Sequence, residues 1–215
     1  MIAFGSSDMT KAYIGSTEVT KAYLGSDLVW GGSSPVLPYD SEVTYVRSTG
    51  SQYIDLDYTC TANTIITVTM LLGEVTKQGR IIGCSSGYFE SYINGSNRFA
   101  FASGGKTNAS TVTASTTARR TITINNTTAK GTVGTSTVNL TKNTATYFGS
   151  MYLCSRPSAS GTNVKCYIYS VSITDGSLVR DLIPVRVGEV GYLYDKVSGR
   201  LFGDGDLLVG TDVTS

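Results

Sequence analysis

The chain has 215 residues, of which 40% are hydrophobic and 15% charged, and its formal net charge is +1. A chain so nearly neutral has no broad electrostatic field to draw it to nucleic acid or to an anionic membrane surface, and neither partner is predicted. No apolar stretch approaches the length of a membrane span, so no membrane insertion is expected, and the absence of histidine removes the base of a Ser-His-Asp or Cys-His arrangement.

The first thirty residues are three copies of a ten-residue unit, written MIAFGSSDMT, KAYIGSTEVT and KAYLGSDLVW. Each copy has glycine in its fifth place, at Gly5, Gly15 and Gly25, and serine in its sixth. Such a unit predicts a short strand, a turn and a second strand, because its apolar residues favour extended backbone and glycine permits turn dihedrals. Hairpins this small bury too little apolar surface to stand alone, so the repeat indicates attachment or assembly. The alternative is a β-meander packed on the downstream domain.

The segment KAYIGSTEVTKAYLGSDLVW, residues 11–30, resembles an N-terminal module of virion proteins from tailed bacteriophages of gut bacteria. The resemblance implies that residues 1–32 anchor the chain to other virion proteins. Fibre-like virion proteins commonly have threefold symmetry and short strands offer unpaired edges, so we expect a homo-oligomer, preferably a trimer. The residues expected to make the attachment are apolar and aromatic: Tyr13, Ile14, Val19, Tyr23, Leu24, Val29 and Trp30.

Glycine, serine and proline then punctuate the chain, which predicts a linker at residues 33–42 and a single domain at residues 43–215. Short extended runs alternate with turn residues throughout this domain and no segment has a helical period, so we predict an all-β sandwich of two sheets. Residues 104–117, rich in Ser, Thr and Gly, are expected to be a mobile loop or an exposed edge. The predicted strands are residues 44–47, 52–56, 64–72, 80–84, 88–93, 98–102, 118–125, 128–133, 137–140, 147–153, 164–173, 178–187 and 191–194.

Both ends of the domain resemble the concanavalin A-like, laminin G-like jelly rolls of phage and gut-bacterial surface proteins. The opening YVRSTGSQYID, residues 45–55, carries the resemblance together with the closing residues 169–186 and 190–202. The resemblance implies a jelly-roll sandwich that follows the small hairpin module. It does not define a function, because the family includes lectins, adhesion modules and structural parts.

No catalytic residue is predicted. Glycosidases of this scaffold place their carboxylates in a Glu-x-Asp-x-x-Glu arrangement, which the sequence lacks, and surface or turn positions explain Asp55 and Asp57 better. Asp204 and Asp206 flank Gly205 and offer oxygen ligands, as calcium sites do, but the remaining carboxylates of a local calcium loop are missing. We therefore expect a tight turn there and no metal or other cofactor, with calcium as the alternative.

The four cysteines are Cys60, Cys84, Cys154 and Cys166. Their wide spacing contains no Cys-x-x-Cys pair, so we expect buried thiols, and a disulfide only after release into an oxidising medium.

Tyrosine is abundant, with fourteen residues against one tryptophan, and a tyrosine ring can stack on the apolar face of a sugar. Most tyrosines are expected to be structural, and those of residues 167–169 and 192–194 are predicted to share one sheet face. Tyr88, Phe89 and Tyr92 lie near the predicted Asn94-Gly95 turn and are the candidate glycan contacts, with a core role as the alternative.

These expectations combine into one functional hypothesis, a structural virion protein that serves as a head or tail fibre or decoration. It would be made in the host bacterial cytoplasm without a signal peptide, and its jelly roll would adhere weakly to host-surface or mucosal glycan. The alternatives are a non-catalytic bacterial carbohydrate-binding module, which works outside the cell and so fits the missing signal peptide less well, and a glycoside hydrolase.

Overall fold

The computed structural model describes residues 12–14, 17–19, 21–24, 27–31, 37–84, 89–144, 149–155 and 163–213, with the backbone alone for residues 12–31 and for Asp204. The chain divides into two compact units, Met1–Leu37 and Pro38–Ser215. Among the described residues there is no apolar helix with the length to cross a membrane.

The first unit contains two β-hairpins. Strands β1 (Ala12–Ile14) and β2 (Thr17–Val19) pair antiparallel, as do β3 (Lys21–Leu24) and β4 (Asp27–Gly31). The inner pairs are equivalent in the two hairpins, because Ile14 lies opposite Thr17 and Leu24 lies opposite Asp27. The predicted hairpin is thus confirmed for the second and third repeat units, while the first unit, residues 1–10, lies outside the described residues.

The second unit consists of sixteen described strands. The first eight are β5 (Ser41–Glu42), β6 (Val46–Thr49), β7 (Ile54–Thr59), β8 (Thr64–Leu72), β9 (Arg80–Cys84), β10 (Phe89–Ile93), β11 (Arg98–Ser103) and β12 (Lys106–Thr113). The remaining eight are β13 (Arg120–Asn125), β14 (Lys130–Val133), β15 (Ser136–Asn139), β16 (Ser150–Leu153), β17 (Lys165–Asp175), β18 (Ser177–Val187), β19 (Val190–Asp195) and β20 (Leu201–Val209).

These strands form two antiparallel sheets. The six-stranded sheet has the order β12-β11-β10-β9-β16-β7, and the ten-stranded sheet has the order β15-β14-β13-β8-β17-β6-β20-β19-β18-β5. One apolar core receives side chains from both sheets, including Phe89 and Phe101 from the first and Ile66, Met70 and Ile122 from the second. The predicted all-β sandwich is confirmed.

Strand β8 explains how the sequence builds the ten-stranded sheet. Its nine residues alternate strictly between buried and half-buried positions, as a strand between a core and solvent must. The outward threonines form a cross-strand ladder with β13, in which the Oγ1 atoms of Thr67 and Thr123 are 3.0 Å apart and those of Thr69 and Thr121 are 3.2 Å apart. The outward-facing threonines of β8 therefore hydrogen-bond to the neighbouring strand.

Two buried polar side chains hold loops to this framework. Asn126 is completely buried and bonded on both sides: Nδ2 donates to the carbonyls of Thr61 and Asn143, and Oδ1 accepts from the Asn143 amide at 2.9 Å. Asp195, also completely buried, accepts bonds from the amides of Asp181, Val197 and Ser198. These hydrogen bonds replace the bonds to water that the two side chains lose on burial, so neither side chain is left unpaired. They also hold the backbone of the neighbouring loops in place.

Two local predictions need correction or a choice between alternatives. Residues 104–117 contain the edge strand β12, so the exposed-edge alternative is right and the loop is wrong. The predicted turn at Asp204-Gly205-Asp206 is wrong: these residues lie inside β20, where the register with β19 shifts between Phe202 and Leu207 and Gly205 has a φ of +79°. They form an irregularity within the strand, and glycine permits the positive φ there.

The cysteine prediction is half right. Cys60 and Cys84 are buried thiols, and burial raises the pKa of Cys60. Cys154 and Cys166 instead form a disulfide, although both were expected to be thiols. The bond joins β17 to the residue that follows β16, which ties the two sheets together covalently.

Candidate functional site

The outer face of the ten-stranded sheet carries a row of tyrosine and arginine side chains. In β17 the buried residues Cys166 and Ile168 alternate with half-buried Tyr167 and Tyr169, so these tyrosines point away from the core. In β6 the same alternation turns Arg47 outward, and the register places it directly opposite Tyr167. Two adjacent strands thereby bring an arginine and a tyrosine together from distant parts of the sequence.

The rings in this row pack edge to face. Tyr45 lies between Tyr167 and Tyr169, with ring centroids 4.9 and 5.8 Å apart and interplanar angles of 81° and 69°. An arginine stacks at each end: Arg47 Cζ lies 5.5 Å from the Tyr167 centroid, and Arg119 Cζ lies 3.3 Å from the Tyr169 centroid. We call these five residues the tyrosine surface. Their mutual contacts hold the rings in fixed orientations, which lowers the entropy lost when a ligand binds.

A pocket of about 240 Å³ opens at the Arg47 end of the tyrosine surface. It is lined by residues of β6, of the start of β17 and of the turn that follows β8. The lining residues are Arg47, Ser48, Thr49, Gly73, Lys165 and Tyr167.

The turn after β6, which belongs to the YVRSTGSQYID opening, contacts two residues that line the pocket, Thr49 and Lys165. Gln52 is almost buried, and its Oε1 accepts bonds from the Thr49 amide at 2.7 Å and from Thr49 Oγ1 at 2.8 Å. Gly50 adopts a φ of +98°, and a Cβ there would lie only 2.9 Å from Lys165 Cγ. Glycine is therefore required both by the backbone conformation and by the close passage of the lysine stem.

Lys165 crosses the pocket and forms an ion pair with Glu74, with Nζ 2.7 Å from Oε2. Both side chains are about half exposed, at 48% and 49%, so the pair is solvated and easily exchanged. The hydrogen bonds from Lys165 and from Thr76 lower the pKa of the Glu74 carboxyl. Tyr167 Oη accepts a long bond of 3.4 Å from Arg47 Nη1. The pocket therefore presents a guanidinium, an ammonium and a phenol to solvent.

The predicted glycan residues do not form this site. Phe89 is a correction: it is completely buried in the core, so its ring is not exposed for a ligand, because β10 turns it inward with Ile93. Tyr92 is half-buried on the other sheet, where Arg80 Cζ stacks 4.5 Å from its ring and burial raises its pKa. Arg80 in turn pairs with Glu90, Nε to Oε2 at 2.9 Å. Tyr88 lies outside the described residues.

The residues expected to make the attachment all fall within the two hairpins of the first unit. Tyr13 and Ile14 belong to β1 and Val19 to β2; Tyr23 and Leu24 belong to β3, and Val29 and Trp30 to β4. Within the hairpins Tyr13 lies opposite Glu18 and Trp30 opposite Ala22. Their role in attachment stays a prediction.

The carboxylates nearest to a glycosidase pattern are engaged in structural contacts. Asp57 Oδ2 lies 2.8 Å from Arg200 Nη1, and the hydrogen bond from Arg200 lowers the Asp57 pKa. Asp55 Oδ1 accepts the Asp57 amide at 2.9 Å, which closes a local turn. A general acid for glycoside cleavage needs a raised pKa, so Asp57 has the opposite character. Across the described part of the chain, no group of three His, Cys, Asp or Glu side chains is placed to hold a metal.

No family model matches the sequence, and no curated protein matches it either. The fold is similar to a solved structure from Bacteroides ovatus described as a candidate carbohydrate-binding protein, with a TM-score of 0.57 and 11% sequence identity. The similarity covers 80% of this chain and 61% of that protein, so the chain spans about three fifths of its neighbour. At this identity the likeness concerns the fold.

Proposed function

We propose that this protein is a non-catalytic carbohydrate-binding protein and that the tyrosine surface is its contact site. The observation that carries the proposal is the row of three tyrosine rings held edge to face on an open sheet face, between two arginines. Tyrosine offers an apolar ring for the sugar face together with a hydroxyl for hydrogen bonding. The fold likeness to a candidate carbohydrate-binding protein supports the same class.

A glycan array probed with the full-length protein tests this proposal. We expect binding to a defined set of glycans, and about tenfold weaker binding for Tyr45→Ala and Tyr167→Ala, because each removes a stacked ring worth about 1.4 kcal/mol. Tyr194→Ala is the matched control, since Tyr194 stacks on Tyr39 at 4.9 Å, outside the tyrosine surface. An array without signal, or tyrosine variants that bind as well as the control, would contradict the proposal. Release of shortened oligosaccharides would overturn the absence of catalysis.

A second proposal concerns where the protein works. We infer that the first unit anchors it to a bacteriophage particle, together with other copies of the chain. One support is that the hairpins β1–β2 and β3–β4 share the register of their inner pairs, as the repeats of a modular docking element would. The other is the resemblance of residues 11–30 to a module of virion proteins. Many copies on one particle would raise the effective affinity of individually weak glycan contacts, because later contacts become intramolecular.

Mass spectrometry of purified particles tests the second proposal. The protein should co-purify with virion proteins, and a chain that lacks residues 1–32 should be lost from the particles while it still accumulates in the lysate. Retention of the shortened chain on particles would contradict anchoring by the repeat and leave the carbohydrate proposal untouched.

A further inference from the structure

The basic groups of the tyrosine surface differ from most other arginines of the domain in their electrostatic environment. Arg186 and Arg200 each pair with a carboxylate at 2.8 Å, and Arg80 and Arg180 also have acidic partners. Within the described residues neither Arg47 nor Arg119 has a carboxylate at salt-bridge distance, and both stack on tyrosine rings instead. The tyrosine surface is therefore a cationic patch on a molecule whose formal net charge is only +1.

The hydrogen-bonding character of the site is equally one-sided. Arg47, Arg119 and Lys165 can only donate hydrogen bonds. The one carboxylate beside the pocket, Glu74, is occupied by Lys165 and by Thr76, whose Oγ1 donates to it at 3.0 Å. The Gln52 amide beneath the pocket is used by Thr49 and by the carbonyl of Asp206. A neutral sugar needs acceptors as well as donors for its hydroxyls, whereas this site mainly supplies donors, and so it suits a ligand rich in acceptors.

We propose, on the basis of the proposed carbohydrate function, that the site recognises an acidic polysaccharide whose sugar carboxylates bind Arg47 and Lys165 at the pocket and Arg119 at the far end. A guanidinium matches a carboxylate in a two-bond geometry, and charge-assisted bonds of this kind are about twice as strong as neutral ones. The pocket of about 240 Å³ is smaller than typical sites for drug-sized ligands, so it takes one sugar unit. The tyrosine rings lie between the two cationic ends, where uncharged sugar faces can stack.

A chain of sugar carboxylates fits the patch better than nucleic acid does. Nucleic-acid binding relies on many simultaneous phosphate contacts and on a strongly basic surface. Here the basic groups are few and the whole chain is nearly neutral. A polysaccharide with one carboxylate per sugar has a lower charge density than nucleic acid. It also presents uncharged ring faces between its charges, which suits three tyrosine rings that lie between two arginines.

Calorimetric titration of the full-length protein with polygalacturonate and with its fully methyl-esterified form is the direct test, because the two polymers share one sugar backbone and the ester carries no carboxylate charge. We expect the acidic polymer to bind at least tenfold more tightly, and this preference to weaken as salt is raised. Arg47→Gln and Lys165→Gln should each reduce affinity for the acidic polymer about tenfold. Arg98→Gln is the control, because Arg98 is an exposed arginine of the other sheet.

A gain of affinity gives a second readout that a structural role would not produce. Glu74→Gln removes the competing carboxylate from Lys165, so it should tighten binding of the acidic polymer about twofold to threefold. Equal binding of both polymers, unchanged by Arg47→Gln, would overturn the inference and leave the carbohydrate proposal standing. If no glycan bound, both the acidic-polysaccharide inference and the carbohydrate proposal would be wrong. Tighter binding to duplex DNA than to polygalacturonate, with the same dependence on Arg47, would overturn the inference in favour of a general polyanion surface.

Discussion

Ser91 and Ser103 lie on neighbouring strands of the six-stranded sheet and are both buried, yet they differ in hydrogen bonding. Ser103 Oγ donates to Asn126 Oδ1 at 3.3 Å, whereas Ser91 Oγ has no hydrogen-bond partner. Ser91→Ala should raise the free energy of unfolding by about 1 kcal/mol, because it removes an unsatisfied buried hydroxyl. Ser103→Ala should lower it by about 1 kcal/mol, because it leaves Asn126 with one bond fewer. Urea denaturation of the two variants measures the difference.

The two serine variants control for each other, since the atoms removed and the depth of burial are the same. A loss of stability on Ser91→Ala equal to that of Ser103→Ala would mean that the Ser91 hydroxyl is hydrogen-bonded in solution. A changed slope of the denaturation curve would instead indicate an altered unfolded state.

Tyr58 gives the fold a dependence on alkaline pH. Its hydroxyl donates to Asp175 Oδ2 at 3.0 Å and lies 2.9 Å from Thr64 Oγ1, and burial raises its pKa to about 12. An unfolded tyrosine releases its proton near pH 10. The stabilisation from Tyr58 is therefore complete below about pH 10 and is lost as the pH rises towards 12, where the native state also ionises.

Tyr58→Phe should make the fold less stable at pH 7, through the lost hydrogen bonds, and less sensitive to pH between 10 and 12. Urea midpoints at pH 8, 10 and 11 measure both effects. Tyr53→Phe serves as the control for the loss of a tyrosine hydroxyl, because Tyr53 is 37% exposed. If Tyr58→Phe lost stability with pH as steeply as the unmodified protein, the assignment of this titration to Tyr58 would be wrong.

At the scale of single residues, the sequence shows which residue types are available for a site but not which of them are exposed. Its many tyrosines favour sugar contacts, and Phe89 beside the predicted turn is a candidate for one, yet strand alternation turns Phe89 into the core. Tyr167 was assigned to a sheet face and is indeed outward. Its neighbour Arg47 is 120 residues away, and a contact over that separation depends on strand register that local patterns do not contain.

At the scale of elements, β14 can pack against β11 only because Gly131 has no side chain. A Cβ on Gly131 would collide with the ring of Phe101, which comes from the opposite sheet. Gly131→Ala should therefore lower the free energy of unfolding by about 1–3 kcal/mol, as overpacking of a core does. Gly95→Ala is the control, because a Cβ there meets nothing within 4 Å.

Thermal denaturation of the two glycine variants decides the point. The double variant Gly131→Ala with Phe101→Leu should be more stable than the sum of the two single changes predicts, since the smaller side chain makes room for the new methyl group. Strict additivity would show that the two residues do not interact.

Strands with apolar alternation were predictable, and strands without it were not. The predicted limits of β8 agree with the structure, because after Thr64 its inward residues are Ile, Val, Met and Leu in strict alternation. Strand β12 is an edge strand with mostly exposed polar side chains, so it lacks the pattern. Strand β20 contains Gly203 and Gly205, which are typical of turns and have positive φ, yet the residues before and after them pair with β19 and β6. Tertiary pairing decides the conformation there.

At the scale of the whole molecule, the two units differ in how they can be stable. Among the residues whose side chains the structure describes, every member of the buried core lies within residues 38–215. The described strands of the first unit have three to five residues and pair within their own hairpins. Isolated two-stranded hairpins are marginal in water, so the first unit needs contacts with identical neighbours or with another protein to become rigid.

Removal of residues 1–37 should therefore leave the fold of the remainder intact and abolish self-association. We expect the chain of residues 38–215 to unfold in one cooperative all-β transition within about 2 °C of the full-length protein, because it keeps every core residue that the structure describes. Multi-angle light scattering should give a homo-oligomer, preferably a trimer, for the full-length protein and a monomer for the shortened one. An aggregated or unfolded shortened chain would contradict the division into units. A full-length monomer at all concentrations, with slowly exchanging amides in β1–β4, would show that the hairpins are ordered without identical neighbours.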